Sequence, residues 1–245
     1  MLLIYCEVTT KRKNMDYILN GFIRAFQLII SLNKELYEVI FLSIGVALIS
    51  TTIISVIFIP IGLKLGLRKF KGEVFFARTI FSLMGIPSVV VGLLVALVLS
   101  RNSVFGFLQL LYTPIAIVIA QSLLILPLCL SLTYTLSRSK ARKINRVGKI
   151  LGGKRKDRLF LILFELKDEL LIIVITCFSR AITEVGAVMI VGGNLKGSTR
   201  VMTTSISMLN SMGDYSTGIA LGVILLGITF LINNFIYVHK IEVNN

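Results

Sequence analysis

Arg180 and Glu184 are the residues whose charge, spacing and surroundings most invite a chemical role. They stand four apart in the apolar stretch from Glu169 to Gly192, with Thr176 and Thr183 close to the same helical face. Ionisable groups at membrane depth are expensive and face a bundle interior or a water-filled cavity. The group therefore reads either as a polar stripe lining an anion path or as an ion pair that locks one helix into its bundle, and both readings stay open at this level. A catalytic centre is not among the readings. The single histidine, His239, sits near the C-terminus, so no nucleophile–base set can be assembled. Cys129 and Cys177 fall inside apolar stretches far from Cys6, where a thiol acts as a small apolar side chain. Neither a phosphate-cradling motif nor metal-ligand spacing is present. The chain is expected to hold no cofactor or metal and to perform no covalent chemistry.

Backbone breaks are the second source of polar groups. Gly85-Ile86-Pro87-Ser88 interrupts an apolar stretch, preceded by Met84 and followed by Gly92. Pro127 interrupts another, with Gln121 and Ser122 one to two turns before it. Proline frees a carbonyl that lipid cannot satisfy, so such sites face protein or water. Met84, Pro87, Ser88 and Gln121 thus join Arg180, Thr183 and Glu184 as candidates for a translocation path. Small residues that let helices pack closely are the alternative reading of the same positions. Beyond Gly192-Gly193, Asn194, Lys196 and Arg200 form a polar turn whose cations could meet an incoming anion, or could simply be solvated.

The elements that must position these residues are membrane spans. Hydrophobic residues make up 56% of the 245 positions, too many for one water-soluble core, and the mean hydropathy is +0.90. Five stretches are long and apolar enough to span: Tyr37–Leu63, Val74–Leu99, Tyr112–Leu136, Glu169–Gly192 and Tyr215–Val238. The expected class is therefore all-α, a polytopic membrane protein of about five spans. Tyr17–Leu32 is shorter, with Asn20, Arg24, Gln27 and Ser31 on one face and Ile18, Phe22, Phe26 and Ile29 on another. It reads as a helix lying in the interface, although a sixth span and a start at Met15 rather than Met1 both stay open. The domain division is residues 1–35 as an N-terminal extension and 36–240 as the membrane domain.

Charge orients the spans. The net charge is +14, from 26 Lys and Arg against 12 Asp and Glu. The connector after the first span carries Lys64, Arg68, Lys69 and Lys71, and the connector 137–168 carries ten basic residues between Arg138 and Arg158. The other connectors carry only Arg101, Lys196 and Arg200. The positive-inside rule places the basic connectors and the C-terminus in the cytoplasm of a multi-pass plasma-membrane protein. The same asymmetry accounts for the basicity without nucleic acid as a partner.

Connector 137–168 is larger than a turn. Ile144, Val147, Ile150 and Leu151 recur at helical spacing, and Gly152-Gly153 ends the pattern. Such a helix suits docking of a soluble partner, while its basic flanks also suit anionic lipid headgroups. Arg146-Val147-Gly148, Lys149-Ile150-Leu151 and Gly152-Gly153 resemble the Glu-Ala-Ala, three residues, Gly motif of ABC importer permeases. Gly152 and the spacing match; Arg146 stands where that motif carries a glutamate. Arg180 through Asn194, continued by Lys196-Gly197 and Thr199-Arg200, resembles the tungstate and molybdate permeases, as do Met84-Gly85-Ile86-Pro87 and Tyr112-Thr113-Pro114. The resemblance runs from about Asp16 to Val238. It implies two permease copies around one pore, two ATP-binding cassette ATPase subunits docked on residues Arg146 to Gly153, and an oxyanion-binding protein at the outer face. A single-chain, ion-coupled carrier titrating Arg180 and Glu184 is the competing reading; the absence of an internal repeat argues against it. A membrane-embedded enzyme would need a catalytic cluster that the chain lacks.

Overall fold

The computed structural model describes residues 20–23, 26–27, 30–31, 34–103 and 105–242, with backbone only at 233 and 235–242. The first long helix, α1 (Lys34–Leu67), spans about 50 Å at 1.5 Å per residue. Glu35 in its first turn and Lys64 in its last complement the helix dipole. Pro60 is accommodated inside it. A short turn leads to α2 (Glu73–Leu83), which breaks before α3 (Ser88–Leu99). The two are bent by 93° across Met84–Pro87. After a 3-10 turn, α4 (Pro114–Leu136) starts with Thr113 as its cap, accepting from the Ala116 N–H, and Pro114 in the first turn. A π-helical turn (Ser137–Ala141) carries α4 without interruption into α5 (Arg142–Ile150). Then come α6 (Arg155–Glu165), α7 (Lys167–Ile182), α8 (Gly186–Gly192), α9 (Met202–Ser211) and α10 (Tyr215–Glu242).

Among the described residues, three helices are long and apolar enough to cross a membrane, and the bent pairs α2–α3 and α7–α8 bring the number to five. That is the span count expected from the hydrophobic stretches. Helix ends sort into two sides. Arg142 meets the Gly66 carbonyl on one, and Lys196 meets Glu35 on the other. The first is the side of the basic connectors. Outward faces are apolar, as at Val56, Phe75 and Phe230, which is how a lipid-facing surface is built.

Two larger packed clusters hold the bundle, and a small one at Ile80, Leu130 and Tyr134 seats α2 on α4. The largest joins α1, α4, α7, α9 and α10 through residues such as Ile54, Ile125, Cys129, Cys177 and Met202. The second joins α1, α3, α4 and α8 through Val46, Val95, Ile117 and Val188.

The structure modifies three sequence expectations. Connector 137–168 holds a second helix, α6, because Leu159 to Phe164 forms an apolar run that the adjacent bases obscure in sequence. Residues 193–214 are only half loop: α9 packs on α10, with Met202, Thr203 and Thr204 buried. Pro127 lies inside a continuous α4 and is buried there, so it does not open the chain. Only part of Tyr17–Leu32 lies among the described residues, and its Gly21 backbone presses on α10, where a Cβ would fall 2.3 Å from Ile219. The remainder of that segment lies outside them.

Candidate functional site

The two helix breaks meet. Gly92 on α3 lets Ala187 of α8 approach so closely that a Cβ would lie 2.6 Å from the Ala187 Cα. A Cβ on Gly186 would likewise meet Val89 and Ser88. These contacts set the start of α3 beside the start of α8, at the depth where both spans change direction.

Glu184 sits in the α7–α8 break. One carboxylate oxygen accepts from Arg180 Nη1 at 2.5 Å. The other accepts from the Ala187 N–H at 3.3 Å, so the side chain also covers an unpaired amide at the start of α8. Thr203 donates to the Glu184 carbonyl at 2.8 Å, closing the break from α9. The pair is lopsided: Glu184 is 4% exposed while the Arg180 side chain is 42% exposed. A guanidinium that open at membrane depth needs water or a second protein surface.

The residues of the two breaks form a mixed surface. Thr183, Met84, Gly85 and Pro87 are exposed and Ser88 is half-buried. Met84 is steadied by Ser131, which donates to its sulfur at 2.9 Å. Gln121 stands apart from this group. It is sealed inside the bundle, where its amide donates to the Ala181 carbonyl at 3.1 Å and its oxygen accepts from Ser50 at 3.0 Å. That ties α1, α4 and α7 together.

On the side opposite the basic connectors, Lys34, Glu35, Glu38, Lys196 and Arg200 line a cavity of about 620 Å³. Glu35 pairs with Lys196 at 2.8 Å and lies 3.7 Å from Arg200. Asn194, at a φ of 52°, is held by Thr204, which donates to its side-chain oxygen at 2.9 Å. Both cations stand out in the sequence, whereas Glu35 does not; an acid at the start of the span facing that loop is its signal.

On the basic side, α5 presents Val147, Ile150 and Leu151, the last two 78% and 76% exposed. Arg146 is exposed beside them, and Gly148 is buried against Arg158 of α6. Gly152 adopts a φ of +75° with open space around it, and the Gly153 N–H donates back to the Gly148 carbonyl at 3.0 Å. An apolar tip on a basic helix, ended by a left-handed glycine, is a projecting surface that none of the described residues covers.

Residues 58–240 match the family described as binding-protein-dependent transport system inner membrane component. The chain belongs to this family. Among relatives of this transport component is the tungstate uptake system permease protein TupB of Peptoclostridium acidaminophilum. It is 54% identical over 91% of this chain and 98% of the relative. The TupB of Campylobacter jejuni is 32% identical over 95% of this chain and 96% of the relative. A probable anion ABC transporter permease protein of Haloferax volcanii is 38% identical over 71% of this chain and 78% of the relative. The chain is thus a multi-pass membrane permease subunit.

Proposed function

We propose that this chain is the permease subunit of an ABC importer for tungstate. The observation that carries the reading is its 54% identity to a tungstate uptake permease over nearly the full length of both chains. Two copies would enclose one pore, each contributing its crossed breaks. A second copy answers the physical demand of Arg180, whose half-open guanidinium cannot face lipid. Arg180, Thr183 and Ser88 would then offer donors to a passing oxyanion, with Met84 and Pro87 forming a bendable wall. Glu184 would keep the arginine from holding the anion too tightly.

The basic connectors lie in the cytoplasm in this reading, together with the C-terminus. Ile150 and Leu151, carried by Arg146 to Gly153, dock into an ATP-binding cassette ATPase subunit, two per dimer. Asn194, Lys196 and Arg200 face the extracytoplasmic binding protein that delivers the oxyanion. The permease itself binds no cofactor and breaks no covalent bond; ATP hydrolysis belongs to the partner.

The test is ATP hydrolysis by the reconstituted complex, with its binding protein loaded in turn with tungstate, molybdate or sulfate. Stimulation by tungstate at the lowest concentration is the expected outcome. Equal stimulation by sulfate would overturn the substrate assignment, and transport by the purified chain alone under an ion gradient would overturn the ABC reading.

A further inference from the structure

The junction between α4 and α5 grips the rest of the bundle more firmly than a passive continuation requires. Its π-helical turn, Ser137–Ala141, supplies three ties. Ser137 donates to the Leu63 carbonyl near the end of α1 at 2.8 Å. Lys140 reaches Glu169 at the start of α7 at 2.5 Å. Arg138 forms a two-pronged pair with Glu73, the first residue of α2, at 2.6 and 3.1 Å. Arg142, one residue past the turn, adds donations to the carbonyls of Gly66 at 2.7 Å and Arg68 at 3.0 Å. It also stands 3.9 Å from Glu73.

These ties differ in kind. Those to α1 and the residue after it end on backbone carbonyls, of which Gly66 is one that a helix terminus leaves unpaired. The tie to α2 is a charge-assisted, bidentate contact to one side chain, which fixes direction as well as distance. Glu73 and Arg138 are 25% and 31% exposed, and Tyr134 accepts from Arg138 at 3.0 Å with its ring centroid 5.6 Å from the guanidinium. From Glu73, α2 runs without interruption to Leu83 and then to the Met84–Pro87 break. A helix of that length transmits a displacement at one end to the other. Bulges of the π type recur where a helix must hold a side chain out of phase for function.

We propose that Glu73 is a positioning residue for transport. Clamped by Arg138 and Arg142, it makes α2 follow the root of α5, so that movement of α5 reaches the Met84–Pro87 break. The inference rests on the proposed docking of an ATPase subunit on α5. It adds a route from that docking surface to the polar surface at the crossed breaks, through α2 rather than through α4 alone.

The experiment uses the full complex in proteoliposomes with tungstate-loaded binding protein, reading tungstate moved per ATP hydrolysed. Glu73→Gln keeps the shape and removes the charge. It should lower that ratio about five- to tenfold, while the ATPase subunit still co-purifies. In a chain whose other cysteines are serine, Glu73→Cys with Arg138→Cys should be equally impaired, and a short bifunctional thiol linker across the pair should restore the ratio. An unchanged ratio in Glu73→Gln, loss of co-purification in that variant, or no recovery on linking would each overturn the role. Gly152→Val separates the two levels: if it leaves co-purification and uptake intact, the docking reading falls, whereas a negative result confined to Glu73 removes only this inference.

Discussion

Gly92 and Ala187 bring two backbones together: no side chain separates α3 from α8 where they cross. Because the clash partner is main chain rather than a flexible side chain, Gly92→Leu must push α8 away. We expect a loss of about 1–3 kcal/mol in stability from overpacking, read as a lower thermal midpoint in detergent, and loss of uptake. Gly45→Ala is the control, since a Cβ there meets nothing within 4 Å. Equal effects of the two substitutions would show that the close approach does not matter.

The exposed surface at the breaks should be reachable from water. In a chain cleared of other cysteines, Met84→Cys, Pro87→Cys and Ser88→Cys should react with a membrane-impermeant thiol reagent in the assembled transporter. Gln121→Cys should stay inert, because its position is 3% exposed and enclosed by α1, α4 and α7. Inertness of all three positions at the break would remove them from the path.

Glu184 serves two partners, and its replacements should separate them. Glu184→Gln loses the charge toward Arg180 but keeps an oxygen for the Ala187 N–H. Glu184→Ala loses both. The charge-assisted contact should be worth about 1.5–3 kcal/mol, toward the lower figure because Arg180 is 42% exposed. We therefore expect Gln to be milder than Ala by denaturation in detergent. Exchanging the charges of Arg180 and Glu184 should rescue either single reversal only in part, since arginine at 184 cannot accept from Ala187. Full rescue would mean that the amide contact contributes nothing.

Gly152 gives a graded test of the docking surface. Its φ of +75° strains any branched side chain although the surrounding space is open. A left-handed residue costs about 1–2 kcal/mol without glycine, and asparagine tolerates the conformation best of the alternatives. ATPase-subunit binding should fall in the order Gly, Asn, Ala, Val, with membrane insertion unchanged. An order that follows side-chain volume instead would point to contact sterics and away from chain direction.

The five spans were legible because each is a long apolar run, and the Met84–Pro87 break because glycine and proline announce it. The break at 183–185 was not legible in that way. Thr183-Glu184-Val185 contains no breaker, and the spacing of Arg180 and Glu184 imitates a continuous helix. The carboxylate at membrane depth was itself the signal: it pairs back to Arg180 on α7 and covers the Ala187 amide at the start of α8. Gln121 was ambiguous for a related reason. A polar residue before a proline suggests an opening, but here it is consumed in tying three helices together. The π-turn had no sequence mark, since Ser137–Ala141 lacks glycine and proline. The Glu73–Arg138 pair is separated by 65 positions, beyond any local pattern.

In the proposed orientation, the cavity beside Glu35 and Arg200 has a bearing on how scarce cargo is gathered. Its three cations, Lys34, Lys196 and Arg200, share their space with two carboxylates, Glu35 and Glu38. Opposed charges so close together largely cancel beyond a Debye length of about 8–10 Å. Such a vestibule exerts little pull on a dianion diffusing in dilute medium. If this cavity is the entrance, as proposed, harvesting falls to whatever brings the ion to the threshold, and the site responds mainly to what is already touching it.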